Sequence, residues 1–128
     1  MVGTCTSRID LNGQTAPSGT QELVHYIIVR ADLPIGSQVA QSVHAAGESA
    51  NPRPVPGTIA VALHARDEKH LADLSDRLTA ADLAHHCVYE AVDDATYPGQ
   101  LMAIGLNPVP LSRRDHIRKV LSALPLVK

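Results

Sequence analysis

The run at residues 22–30, ELVHYIIVR, and the pattern that follows it constrain the fold most. Its β-branched and aromatic content reads as a buried strand. Residues 34–36 punctuate the chain, and a helical pattern takes over at about 37–50. Val39, Val43, Ala46 and Ala50, spaced by four, three and four, form the expected core stripe of that helix. The alternation continues beyond it. Residues 51–57 hold three prolines and can be neither helix nor central strand. A second strand is predicted at 58–65 (TIAVALHA). Asp67 and Glu68 then open a helix that buries Leu71, Leu74 and Leu78, with acids at its positive end. A third strand is predicted at 84–92 (AHHCVYEAV), a loop at 93–99 and a fourth strand at 101–106 (LMAIGL). Ser112, with Asp115 three residues on, resembles a capping box for a last helix, which buries Ile117, Val120, Leu121 and Leu124. The order β-α-β-α-β-β-α predicts a three-layer α/β/α fold around a mixed four-stranded sheet.

One domain is expected at 21–128, behind a polar N-terminal extension at 1–20 that shows no hydrophobic period and reads as disordered. With no Trp or Phe and only three Tyr, the core must be aliphatic. No apolar run approaches ~18 residues, so no membrane-spanning helix is expected. The N-terminus lacks a signal-peptide pattern, which points to the cytoplasm. Cys5 and Cys87 form no zinc or redox motif, and no disulfide is expected between them. A net charge of -2 argues against a general nucleic-acid binder but leaves room for a local basic patch.

Chemistry concentrates where the first strand ends: Arg30, Asp32 and Leu33, then Gly36, Ser37, Gln38, Gln41 and His44. A strand that passes through a glycine turn into a helix gathers backbone N–H groups, a setting for an anion or a developing oxyanion. Gln41 and His44 share a helix face, with Glu48 one turn further and the valines elsewhere. A neutral imidazole there can take a proton or orient water, and Gln41 can hold a carbonyl or phosphate. The same residues also make an ordinary solvent face. His85 and Cys87 alternate with His86 across a strand, so the three cannot share one ion, and no metal site is expected. His64 and His70 are expected on a strand end and an exposed helix face. Neither a nucleophile elbow nor a phosphate-binding P-loop is present. Arg113, Arg114, Arg118 and Lys119 cluster on the last helix, either as its solvated face or as contacts to nucleic-acid phosphates. Scarce aromatics argue against base stacking.

The segment VRADLPIGSQVAQSVHAA resembles the first motif of type II peptidyl-tRNA hydrolases, approximately VRxDLxMGKGKxAAQxxHA. Arg30, Asp32, Leu33, Gly36, Ala40, Gln41, His44 and Ala45 match in order. The stretch from Asp93 to Gly99, followed by LMAIGL, resembles the family's acid-led loop, Pro-Gly turn and closing strand. The resemblance covers about 24–128 and implies an esterase that cleaves peptide from the terminal ribose of tRNA, without metal or organic cofactor, as a homodimer. In that reading His44, Asp93 or Asp94 activates water, and N–H groups at 36–38 bind the oxyanion with Ser37 and Gln41 assisting. Thr96 binds the substrate carbonyl or ribose, Asp32 braces the turn with Arg30, and the basic helix meets tRNA phosphates. Two departures stand out. Ser37 occupies the place of the family's functional Lys, and both loops are shorter. This is similar to a divergent branch, the peptidyl-tRNA hydrolase domain-containing proteins. The rival reading is a non-catalytic module that kept the fold and binds tRNA, a ribosomal component or a protein.

Overall fold

The computed structural model describes residues 22–128; the extension read at 1–20 and Cys5 lie outside them. Strand β1 (Leu23–Arg30) leads to α1 (Ile35–Glu48), β2 (Ile59–Ala65), α2 (Glu68–Ala80), β3 (His85–Tyr89) and β4 (Leu101–Leu106). A two-residue β5 (Val109–Pro110), a 3-10 turn (Leu111–Arg113) and α3 (Arg114–Leu121) complete the chain. The four main strands lie in the order β2-β1-β4-β3. Strand β1 runs parallel to β2 and antiparallel to β4, so the sheet is mixed as expected. Short β5 extends it by pairing with the start of β1.

Alternating side chains of β1 feed two cores. Val24, Tyr26 and Ile28 pack with Leu71, Leu74 and Leu78 of α2 and with Ile117 and Leu121 of α3. Ile27 and Val29 pack on the other face with Ala45 of α1, Val88 and Met102. This period-two division of one strand makes the three layers. Asp67 caps α2 by accepting a hydrogen bond from the His70 backbone N–H at 2.9 Å. The predicted Ser112 capping box does not form: residues 111–113 wind into the 3-10 turn, and α3 starts behind Arg113 without a side-chain cap.

The expected core stripe of α1 holds only at Ala46, which packs half-buried against the core on that side, and is otherwise overturned. Val39 and Val43 are 59% and 67% exposed, and Ala50 lies beyond the helix end. The sheet-facing side consists of Gln38, Ala45 and Ser49. The reason is close approach. A methyl group on Gly105 of β4 would stand 2.8 Å from Ser49 Cβ, and nearer still to Ala45 O and Ser49 Oγ. Valine does not fit in such a seam; small side chains do. The helix is therefore rotated, and Ile35, Val39 and Val43 flank an apolar groove of about 400 Å³ that reaches Ala60 and Ala62 of β2.

Ser49 donates to Ala45 O at 2.7 Å, so the His25 ring nitrogen Nε2, 2.8 Å from Ser49 Oγ, must be the donor in their bond. His25 is buried, and burial holds its pKa below the ordinary 6.5. The unfolded chain thus binds the proton more readily. The contribution of His25 is complete above pH 6.5 and is lost as the pH falls from there towards its folded pKa. We expect the melting temperature to fall with acidification across this window, and to fall less steeply in His25→Gln. Parallel thermal melts of both proteins between about pH 8 and pH 5 check this.

Candidate active site

Buried Arg30, at the carboxyl end of β1, is the hub of the region expected to carry chemistry. It is only 4% exposed. Its Nε and Nη2 donate to the two oxygens of Asp32 at 2.9 and 2.8 Å. Its Nη1 donates to Gln100 Oε1 at 2.8 Å and to Leu101 O at 3.1 Å. The guanidinium also lies 5.5 Å from the centroid of the Tyr97 ring. The β1–α1 turn is in this way tied to the loop before β4. The bond to Arg30 holds the Asp32 carboxyl below the usual carboxylate range, and the same bond raises Arg30 further.

Gln41, on α1, donates to Glu90 Oε2 at 3.3 Å, a second tie between the helix and the segment after β3. Exposed His44 follows on the same face, and no hydrogen bond or ion pair engages its ring among the described residues. Within the loop, Asp94 Oδ2 accepts the backbone N–H groups of Thr96 at 3.0 Å and Tyr97 at 2.7 Å. Asp94 therefore shapes its own loop, whereas Asp93 and Thr96 face solvent. Gly99 takes a left-handed φ of +66°, and its N–H closes the loop on Ala91 O at 2.9 Å.

Helix α1 begins at Ile35, two residues earlier than expected, so Gly36 and Ser37 belong to its first turn. No side chain caps that turn. The Gln38 N–H is already taken by Pro34 O at 3.0 Å, which leaves Gly36 and Ser37 as the N–H donors of the predicted trio. The Gln38 side chain is also engaged: Nε2 donates to Leu33 O at 2.8 Å, and Oε1 meets His64 Nε2 at 2.6 Å. Gln38 thus holds the turn in shape and ties it to β2.

The structure ties Arg30, Asp32 and Gln100 together at the carboxyl end of β1, and Gln41 to Glu90. No side-chain hydrogen bond among the described residues links Ser37 or His44 to them, and Ala45, beside His44, packs on Gly105 opposite Ile27 in the middle of β1. The structure does not bring the basic cluster to α1. Arg113, Arg114, Arg118 and Lys119 are exposed on the 3-10 turn and α3, whose apolar side packs on the opposite sheet face from α1. Sequence reasoning missed Glu90, Tyr97, Gln100 and His64. Only Glu90 carried a signal, as the charge that closes an apolar strand pattern just before an acidic loop. His85, predicted to share a strand side with Cys87, does so: His85 Nε2 and Cys87 Sγ lie 2.9 and 3.4 Å from Ser75 Oγ.

The peptidyl-tRNA hydrolase PTH2 family model matches residues 23–127, essentially all of the described fold. The chain belongs to that family. No curated protein matches the sequence at a significant level. Among solved structures, a protein of unknown function from Agrobacterium tumefaciens strain C58 is similar, with a TM-score of 0.64 at 12% identity. That match covers 84% of this chain and 98% of the other. Such a likeness concerns the fold. Within the PTH2 fold, the β1–α1 turn and the loop before β4, tied together by Arg30, belong to the two family-like motifs. No helix among the described residues is long and apolar enough to cross a membrane.

Proposed function

We propose that the chain hydrolyses the ester between a peptide and the terminal ribose of tRNA, with the site on α1 and the 93–99 loop. The observation that carries this reading is the Arg30 hub, which ties the Asp32 turn to Gln100 and Leu101 and so pairs the two family-like motifs. In the proposed reaction a water oxygen attacks the ester carbonyl carbon while His44 takes the water proton. The tetrahedral oxyanion meets the N–H groups of Gly36 and Ser37 in the first turn of α1. Collapse breaks the carbon–oxygen bond to the ribose, whose oxygen receives the proton from His44. Gln41 and Ser37 position the carbonyl, and exposed Thr96 meets the ribose. Asp93 is the acid free to orient His44 or water, because Asp94 is spent on its own loop. The test is release of deacylated tRNA from an N-blocked aminoacyl-tRNA by the purified protein. Release with turnover supports the reading, and binding without release overturns it.

The second reading, a binding module, is favoured by Ser37 at the family's Lys position and by the absence of any carboxylate bonded to His44 among the described residues. Binding of tRNA without ester cleavage would select it.

We also propose that the protein works in the cytoplasm as a homodimer. The exposed Ile35, Val39 and Val43 give a second copy an apolar face to cover, and two-fold pairs are the commonest assemblies. Light scattering is expected to read twice the chain mass for the wild type and the single mass for Val43→Asp. A monomeric wild type at tens of micromolar contradicts the dimer.

A further inference from the structure

A cavity of about 590 Å³ holds none of the catalytic candidates. It opens at the carboxyl end of β2, between α2 and the segment after α3, and His64, Arg66, His70, Asp73, Arg77 and Ser122 line it. Ala31, between Arg30 and Asp32, also lines it, so the cavity adjoins the β1–α1 turn. Open α/β sheets bind ligands at this end of their strands.

The charges inside are unequal. Asp73 is paired with Lys69 at 3.2 Å, and Asp67 is held as the cap of α2. Arg66 and Arg77 have no carboxylate partner within ion-pair distance among the described residues, and Arg77 Nη1 is anchored by Ser122 Oγ at 2.9 Å. His70 sits among these charges: burial lowers its pKa most, Arg66 and Arg77 lower it further, and Asp67 and Asp73 act the other way without reversing the shift. The histidines are also oriented. His70 Nδ1 accepts the Arg66 backbone N–H at 2.9 Å, so the neutral ring carries its proton on Nε2. His64 Nε2 donates to Gln38 Oε1, because the Gln38 amide nitrogen already donates to Leu33 O. Two guanidinium groups and an imidazole N–H thus line one concave space, in which Asp73, paired with Lys69, is the one acid among the described lining residues. This excess of donors is the chemistry that recognises a phosphate.

We propose that this cavity is a subsite for a phosphate group of the tRNA, beside the turn that presents the ester to α1. The assignment to tRNA rests on the peptidyl-tRNA reading; the anion chemistry does not. Arg66, Arg77 and His70 hold the phosphate oxygens, and the Gln38–His64 bond couples the cavity wall to the first turn of the catalytic helix.

The experiment follows the His70 imidazole by NMR through a pH titration of the full chain, in chloride and in inorganic phosphate at equal ionic strength. Phosphate is expected to raise the His70 midpoint, because an anion favours the protonated ring. Arg66→Ala and Arg77→Ala should each weaken that response and reduce deacylated-tRNA affinity by on the order of tenfold, with a shallower salt dependence. Added tRNA should displace phosphate from the cavity. A His70 midpoint indifferent to phosphate, with wild-type tRNA affinity in both arginine variants, overturns the proposal. A phosphate response that tRNA fails to displace overturns the tRNA assignment and marks a site for a small phosphorylated ligand. Ester hydrolysis is read separately. Hydrolysis with an inert cavity removes the subsite alone, and tRNA-competed phosphate binding without hydrolysis removes the catalytic reading alone.

Discussion

Replacing Gly105 with alanine is expected to destabilise the protein by about 3 kcal/mol or more, the upper range for forcing a methyl group into a filled seam. Gly105 lies on β4, which is hydrogen-bonded to β1 on one side and β3 on the other, so the strand has no room to withdraw. The added methyl would overlap the Ala45 carbonyl and both side-chain heavy atoms of Ser49. The carbonyl moves only if α1 moves, and Ser49 is held by its bond to His25. A domain of this size has roughly 5–15 kcal/mol of total stability, so the loss is a large fraction of it. Gly47 provides the contrast. It sits in the exposed part of α1, and nothing within 4 Å would meet its methyl group. Gly47→Ala should stabilise by about 0.5–1 kcal/mol through helix propensity and a less free unfolded chain. Urea denaturation of the three proteins checks both signs. A Gly105→Ala midpoint near the wild-type value would refute the tight seam that explains why the valines of α1 face outwards.

His44→Ala should show the opposite profile. A loss on the order of 10²-fold in kcat/KM is expected if His44 carries the water proton. Stability should change by less than about 0.5 kcal/mol, because an exposed helical side chain with no partner among the described residues is being removed. Alanine also suits a helix interior. Rate and thermal midpoint are measured on the same sample. A normal rate with a lowered midpoint would make His44 structural and shift the search for the base to Asp93.

Most of the fold was legible because its signals are local. The LVHYIIVR and LMAIGL runs declare buried strands, and the leucines of α2 fall at helical spacing and are all fully buried. The orientation of α1 was not legible. Its apolar residues cluster on one side, and the burial rule assigns that side to the core. What decides otherwise is a glycine in β4, sixty residues after Ala45, whose effect exists only once helix and strand are packed. Gln38 was misread for a related reason. In sequence it is a free amide near a motif, whereas in the fold its three polar contacts close on Leu33, Ala31 and His64. The motif residues at the end of β1 could be placed early, since their spacing alone puts Gln41 and His44 on one face. Their partners could not be paired: Glu90 stood out only as a charge closing a strand pattern and Gln100 not at all, and only the sheet order brings Glu90 to Gln41 and Gln100 to Arg30.

The most direct test of ester hydrolysis at α1 is a multiple-turnover measurement on N-blocked aminoacyl-tRNA, with the protein far below the substrate concentration. The control substrate replaces the ribose ester by an amide. The account predicts steady release of tRNA over many turnovers from the ester, at a rate reduced on the order of 10²-fold by His44→Ala, and intact amide substrate throughout. Tight binding of both substrates, with no release from the ester beyond the spontaneous rate, would contradict it.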